Sequence, residues 1–222
     1  MEYKLLKHLN HPNIADIYGR HIEKDFSCIM MEYFHKGDLS GQISKGISTA
    51  QSINYLRQIA FGLEAVHSRN IIHRDIKPRN ILLRGNNTLT ISDFGIARIM
   101  GKSYGLTLHG VILGSPYYMS PEQINNETQI DHRSDLYSLG AVFYEMLTGK
   151  KPFRGDSLMK IFYSHLHDPL PVLPVLLQEY QPIINRLLAK QPEDRFQDAS
   201  ELLLTIKSIK TKCSKESDLM LA

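Results

Sequence analysis

The chain has 222 residues, of which 42% are hydrophobic and 22% charged, with a formal net charge of +3. That is enough apolar material for one buried core, and a charge too mild to mark a nucleic-acid or membrane-surface binder. Two distant cysteines, Cys28 and Cys213, form no C-x-x-C pair, which excludes a disulfide framework or cysteine zinc site and fits a reducing, cytoplasmic setting. No run reaches the ~18 apolar residues of a membrane helix, and no signal-peptide pattern follows Met1.

Residues 1–9 read as a helix stopped by Asn10-His11-Pro12-Asn13, because a proline disfavours helical backbone before it. Ile14–His21 and Ser27–Tyr33 read as two short strands around the charged turn Glu23-Lys24-Asp25. After the turn Lys36-Gly37-Asp38 the chain becomes mostly helical. Ser48 and Gln51 form a capping-box pattern ahead of Ile53, Leu56, Ile59, Leu63 and Val66 at helical spacing. Two small strands, Ile81–Leu83 and Leu89–Ser92, flank Gly85-Asn86-Asn87.

From Gly95 to Pro121 the chain is rich in glycine and hydroxyls and lacks periodicity, and loops of that length are usually functional. Leu136, Leu139, Val142, Phe143, Met146 and Leu147 mark an apolar helix ending at Gly149. Two last helices are expected at Leu176–Ala189 and Ala199–Ile209, the second opened by Asp198 and Glu201. The closing lysines Lys207, Lys210, Lys212 and Lys215 read as a solvated helix end and tail.

The chemistry lies in two segments, His73-Arg74-Asp75-Ile76-Lys77-Pro78-Arg79-Asn80 and Asp93-Phe94-Gly95. Transfer of a phosphoryl group asks a protein for position and charge neutralisation more than for covalent help. Asp75 can take the proton of an attacking hydroxyl and Lys77 can place a positive charge near the moving phosphate. Asn80 and Asp93 offer the hard oxygen donors that magnesium prefers. Each residue alone has a plainer reading as a surface carboxylate or turn; the full pattern, with a strand pair between its halves, does not.

These motifs resemble the catalytic-loop and metal-loop signatures of serine/threonine protein kinases, and the lysine two residues after Asp75 distinguishes that class from tyrosine kinases. The resemblance runs on through Tyr117-Tyr118-Met119-Ser120-Pro121-Glu122, Ser134 to Gly140, and Pro192 to Phe196. The forms of these segments are most similar to bacterial kinases of the eukaryotic-like (Hanks) type. The resemblance implies an α+β kinase fold, ATP and Mg2+ as cofactors, and a protein substrate with a serine or threonine acceptor. It also implies a buried Glu122–Arg195 pair and an Asp135 that braces the catalytic loop. In the hinge, the Glu32 carbonyl and Phe34 backbone would meet adenine, with Met31 as gatekeeper, Asp38 at the ribose and Leu82 as floor. Arg74 would be satisfied by a phosphate on the following loop, with Thr107 preferred as acceptor over Ser103 and Tyr104. Ser115 stands where the family usually has threonine.

In the family, Glu2 would pair with a strand lysine that grips the phosphates, yet only Lys4 and Lys7 lie near it, on its own helix. No glycine-rich loop precedes it. The expected division is therefore a partial small lobe over 1–34, a helical lobe over 35–210 and a tail over 211–222. Three accounts follow: an active kinase whose chain is longer, a pseudokinase or binding module docking a protein partner, and an inactive remnant. A metal-site reading of His8 with His11, or His165 with His167, lacks accompanying carboxylates or cysteines and yields to the structural one.

Overall fold

The computed structural model describes residues 9–22, 27–94 and 115–208. The first two strands, β1 (Ile17–Ile22) and β2 (Ser27–Met31), pair antiparallel, with Ile17 opposite Met31 and an irregularity between Ile17 and Gly19. The sequence suggested a strand from Ile14. Residues 13–15 instead turn to the second sheet, where Ile14 makes a parallel bridge with Ile91 and the Ala15 N–H donates to the Ile91 carbonyl at 2.9 Å. This short graft ties the small sheet to β3 (Ile81–Leu83) and β4 (Leu89–Ile91), which pair antiparallel.

Helix α1 (Leu39–Lys45) is capped by the Asp38 carboxylate, which accepts from the Gly41 N–H at 2.9 Å. Helix α2 (Thr49–His67) opens at Ser48, whose hydroxyl accepts from the Gln51 N–H. The other arm of the expected capping box is absent, because the Gln51 amide donates to the Tyr55 hydroxyl at 2.7 Å instead. Tyr55, Leu56, Ile59, Leu63 and Val66 form its buried stripe. Gly62 lets the helix lie against the graft, since a Cβ there would sit 2.9 Å from the Asn13 carbonyl oxygen.

A single turn, α3 (Pro121–Ile124), has a complete capping box between Ser120 and Gln123. Helix α4 (Arg133–Thr148) then runs through the middle of the core, with Leu136, Tyr137, Leu139, Val142 and Phe143 fully buried. It stops where expected, at Gly149 in the left-handed region (φ 68°). Helix α5 (Leu158–His167), which the sequence reading passed over, is capped by Ser157. The helix expected at Leu176–Ala189 divides into a 3-10 segment, Val175–Tyr180, and α6 (Gln181–Leu187), with Pro182 in the first turn of α6. Residues 199–208 are helical (α7) and are opened by Asp198, which accepts from the Glu201 N–H at 2.7 Å. Mixed helix with two small sheets gives the α+β class. No described helix is long and apolar enough to cross a membrane.

Candidate active site

Asp135, on the first turn of α4, builds the catalytic loop from beneath. Its carboxylate accepts from the backbone N–H of His73 at 2.8 Å and of Arg74 at 2.7 Å, and from His67 Nε2 at 2.8 Å. With the Arg74 N–H so fixed and its carbonyl held by the Gln123 amide at 2.8 Å, Arg74 sits in the left-handed region at φ 67°. That conformation costs a non-glycine residue of order 1 kcal/mol or more, and it persists because both peptide neighbours are anchored.

His73 is fully buried. Its Nδ1 accepts from the Asp75 N–H at 3.2 Å, so Nε2 carries the proton and donates to the Ser92 carbonyl at 2.8 Å. Burial holds its pKa below the usual imidazole value, against the opposing pull of Asp135, and keeps the ring neutral. The ring also packs against Phe94, with centroids 4.7 Å apart. One histidine thus joins the loop carrying Asp75 to the segment carrying Asp93. Asp93 has a left-handed backbone (φ 56°) and an exposed side chain.

The three loop side chains converge. Asp75 Oδ2 accepts from Lys77 Nζ at 2.6 Å and from Asn80 Nδ2 at 3.0 Å, while the same Nδ2 donates to the Asp75 carbonyl at 2.9 Å. Both Asn80 amide hydrogens are therefore committed to Asp75. Among the described residues, Asn80 Oδ1 and Asp75 Oδ1 have no hydrogen-bond partner. A magnesium ion fits this donor set: Asn80 Oδ1 and the Asp93 carboxylate are two hard oxygens, and this ion takes few protein ligands beside phosphate and water. No cluster of three or more histidine, cysteine, aspartate or glutamate side chains forms a self-sufficient metal cage among the described residues.

Ser115, Tyr118, Met119 and Gln123 line a small hollow with Arg74 and Asp75. The segment is held at both ends of Tyr118. Its carbonyl accepts from Ser138 Oγ at 2.7 Å, and its hydroxyl donates to Glu145 at 2.7 Å beside Lys151. Arg74 Nε is buried without a partner among the described residues. Thr107, Ser103 and Tyr104, as well as Glu2, lie outside the described residues.

Of the hinge candidates Glu32, Phe34, Asp38 and Leu82, the structure joins two directly. Asp38 forms an isolated bridge with Leu82, and the Leu83 N–H donates to the Gly37 carbonyl at 3.0 Å. The Asp38 carboxylate is engaged as the α1 cap. Among the described residues, the Glu32 carbonyl and Phe34 N–H make no hydrogen bond. The Glu32 side chain is gripped by Arg84, a residue the sequence reading did not single out and that no motif spacing marks. A larger apolar cavity of about 410 Å³, between Thr49, Ile53, Phe143 and Ile206, contains none of these groups.

The Protein kinase domain family matches residues 1–205, and the chain belongs to that family. It is similar to the serine/threonine-protein kinase PknB of Mycobacterium leprae, with 36% identity over 205 residues, covering 87% of this chain and 33% of that protein. Pkn1 of Myxococcus xanthus shares 34% over 203 residues, covering 88% and 29%. Human Nek5 shares 37% over 203 residues, covering 87% and 28%. The chain spans about one third of the length of the curated relatives it matches. By that membership it is a protein kinase domain.

Proposed function

We propose that the chain transfers the γ-phosphoryl group of ATP to serine or threonine hydroxyls of protein substrates in the cytoplasm. The observation that carries this reading is the convergence of Lys77 and Asn80 on Asp75. Asp75 Oδ1 is left as an open acceptor for the proton of the incoming hydroxyl. The Lys77 ammonium, held on the other carboxylate oxygen, adds positive charge where the phosphate moves. Bound magnesium supplies charge neutralisation on the phosphates, and Asn80 and Asp93 would hold it. Glu32 and Phe34 offer backbone groups for the adenine edge, Asp38 lies at the ribose position and Leu82 beneath the base. Arg74, with its unpartnered Nε, is suited to a phosphate on Thr107, and Ser115 borders Asp75.

These 222 residues contain no glycine-rich phosphate loop and no V-A-x-K lysine, so transfer by them alone is expected to be very slow. The division into a small lobe over 1–34, a helical lobe over 35–210 and a tail over 211–222 belongs to the same reading. Magnesium-dependent binding of ATP, lost in Asp93→Asn, tests the assignment; binding indifferent to magnesium and to Asp93 would sink it. Vigorous autophosphorylation abolished by Asp75→Asn would overturn the expected slowness.

A further inference from the structure

Arg84 sits at the end of β3, remote in sequence from the hinge, yet its guanidinium is spent almost wholly on the chain entering and leaving the small sheet. Nε donates to Glu32 Oε1 at 2.8 Å and Oε2 at 3.0 Å, and Nη2 to Glu32 Oε2 at 2.6 Å. Nη1 donates to the Pro12 carbonyl, Nη2 reaches the Ile14 carbonyl at 3.3 Å, and Asp16 lies 3.7 Å away. A planar fork with five donors in fixed directions can hold these partners at once, whereas an ammonium cannot. The pair is only about one fifth exposed on each side, and the Glu32 hydrogen bonds raise the arginine pKa further.

The position of this clasp gives it meaning. Residues 32–38 have little structure of their own: the Glu32 N–H donates to the Asp16 carbonyl at 3.0 Å and the Gly37 N–H to the Phe34 carbonyl at 3.3 Å. Three consecutive residues of the hairpin fasten the segment, with Leu82 bridged to Asp38, Leu83 bonded to Gly37, and Arg84 bonded to Glu32. The first two attachments lie at one end of the segment. Arg84 alone of the three secures the other end, where the unpartnered Glu32 carbonyl and Phe34 N–H lie. Leu82, the residue placed under the base, is two positions from Arg84.

We propose that Arg84 is a positioning residue for the nucleotide. By clasping Glu32, Pro12 and Ile14, it fixes the hinge backbone over Leu82 at the spacing an adenine ring requires. The inference rests on the ATP-site reading above and assigns to it a residue outside the kinase motifs. Binding improves when the receiving groups are already in place, so a loosened hinge should cost affinity without touching the catalytic loop.

The test uses the purified chain, magnesium and a fluorescent trinitrophenyl-ATP probe. It compares wild type, Arg84→Met, Arg84→Lys and a surface control on α2, Arg57→Met, with melting temperature and amide exchange over residues 31–38 read in parallel. The expected result is at least a tenfold loss of affinity in Arg84→Met, only partial recovery in Arg84→Lys, and no change in Arg57→Met. Faster exchange should be confined to the hinge. Equal affinity in wild type and Arg84→Met would overturn the clasp while leaving the ATP site standing. Probe binding absent from the wild type itself would remove the ATP-site reading and the proposal with it. An affinity loss matched by a general rise in exchange would reduce Arg84 to a fold-stabilising residue and overturn the proposal too.

Discussion

Arg195 and Glu122, 73 residues apart, meet end to end: Nη1 donates to Oε1 at 2.7 Å and Nη2 to Oε2 at 2.8 Å, with both side chains buried. The remaining donors are also satisfied, by the carbonyls of Ala189, Arg133 and Lys190. Burial alone would push the Glu122 carboxyl up, but Arg195 and the Ser134 hydroxyl outweigh it and hold the pKa below the usual carboxylate range. Arg195→Met leaves a buried, uncompensated carboxylate and should cost about 3–5 kcal/mol. Urea unfolding would show this, and a Glu122→Met/Arg195→Met double variant should be less destabilised than the sum of the two single changes.

Asp135→Ala removes the acceptor for two backbone N–H groups and for His67. The catalytic loop should then exchange its amides faster at His73 and Arg74, read by hydrogen exchange with mass spectrometry, with a loss of about 2–4 kcal/mol in unfolding free energy. Unchanged protection at these two amides would mean that Arg74 holds its left-handed backbone by other means.

Asp75→Asn should separate chemistry from fold. The side chain is partly exposed, so stability should move by less than about 1 kcal/mol. Nucleotide binding should persist and phosphoryl transfer disappear. A labelled-ATP assay beside a thermal melt distinguishes this from simple unfolding.

Acid should destabilise the helical region through His165. Burial, aided by the Lys190 charge, pulls its pKa from 6.5 to about 3. The unfolded imidazole takes a proton near 6.5, the folded one not until far lower, so stability present at neutral pH is lost as pH falls between those values. From pH 7.5 to 5 the loss should be about 2 kcal/mol from this residue, and neutral His73 adds in the same direction. Denaturation at both pH values would measure it, and His165→Phe should flatten the dependence.

Gly140 lies where α4 passes α6, and a Cβ there would stand 2.6 Å from Leu187 Cβ. Gly140→Ala should therefore cost about 1–3 kcal/mol despite its better helix propensity. A rise in melting temperature would contradict the packing.

The buried helices were legible because their apolar residues recur at helical spacing and end in strong stops, as α4 does at Gly149. The proposed catalytic residues stand out through the kinase motifs they match, and that same resemblance implies the Glu122–Arg195 pair and the bracing role of Asp135, whose contacts the structure contains. Helix α5 carries little apolar signal because only Ile161, Ser164 and His165 are buried while Met159 and Tyr163 remain exposed, which dilutes the pattern. Apolar spacing alone predicts one helix over 176–189, whereas Pro182 fits a first helical turn and opens α6 after the 3-10 segment. Arg84 and the Tyr118–Glu145–Lys151 contacts were invisible for a different reason: long charged side chains find partners through tertiary geometry, which local sequence does not encode.

Three nearby positions on one helix serve two neighbouring segments. Ser134 supports Glu122, Asp135 carries the loop of Asp75, and Ser138 holds the Tyr118 carbonyl. The Asp75 loop and the Tyr118 segment beside it are thereby registered to a single rod, so a change in that rod shifts both together.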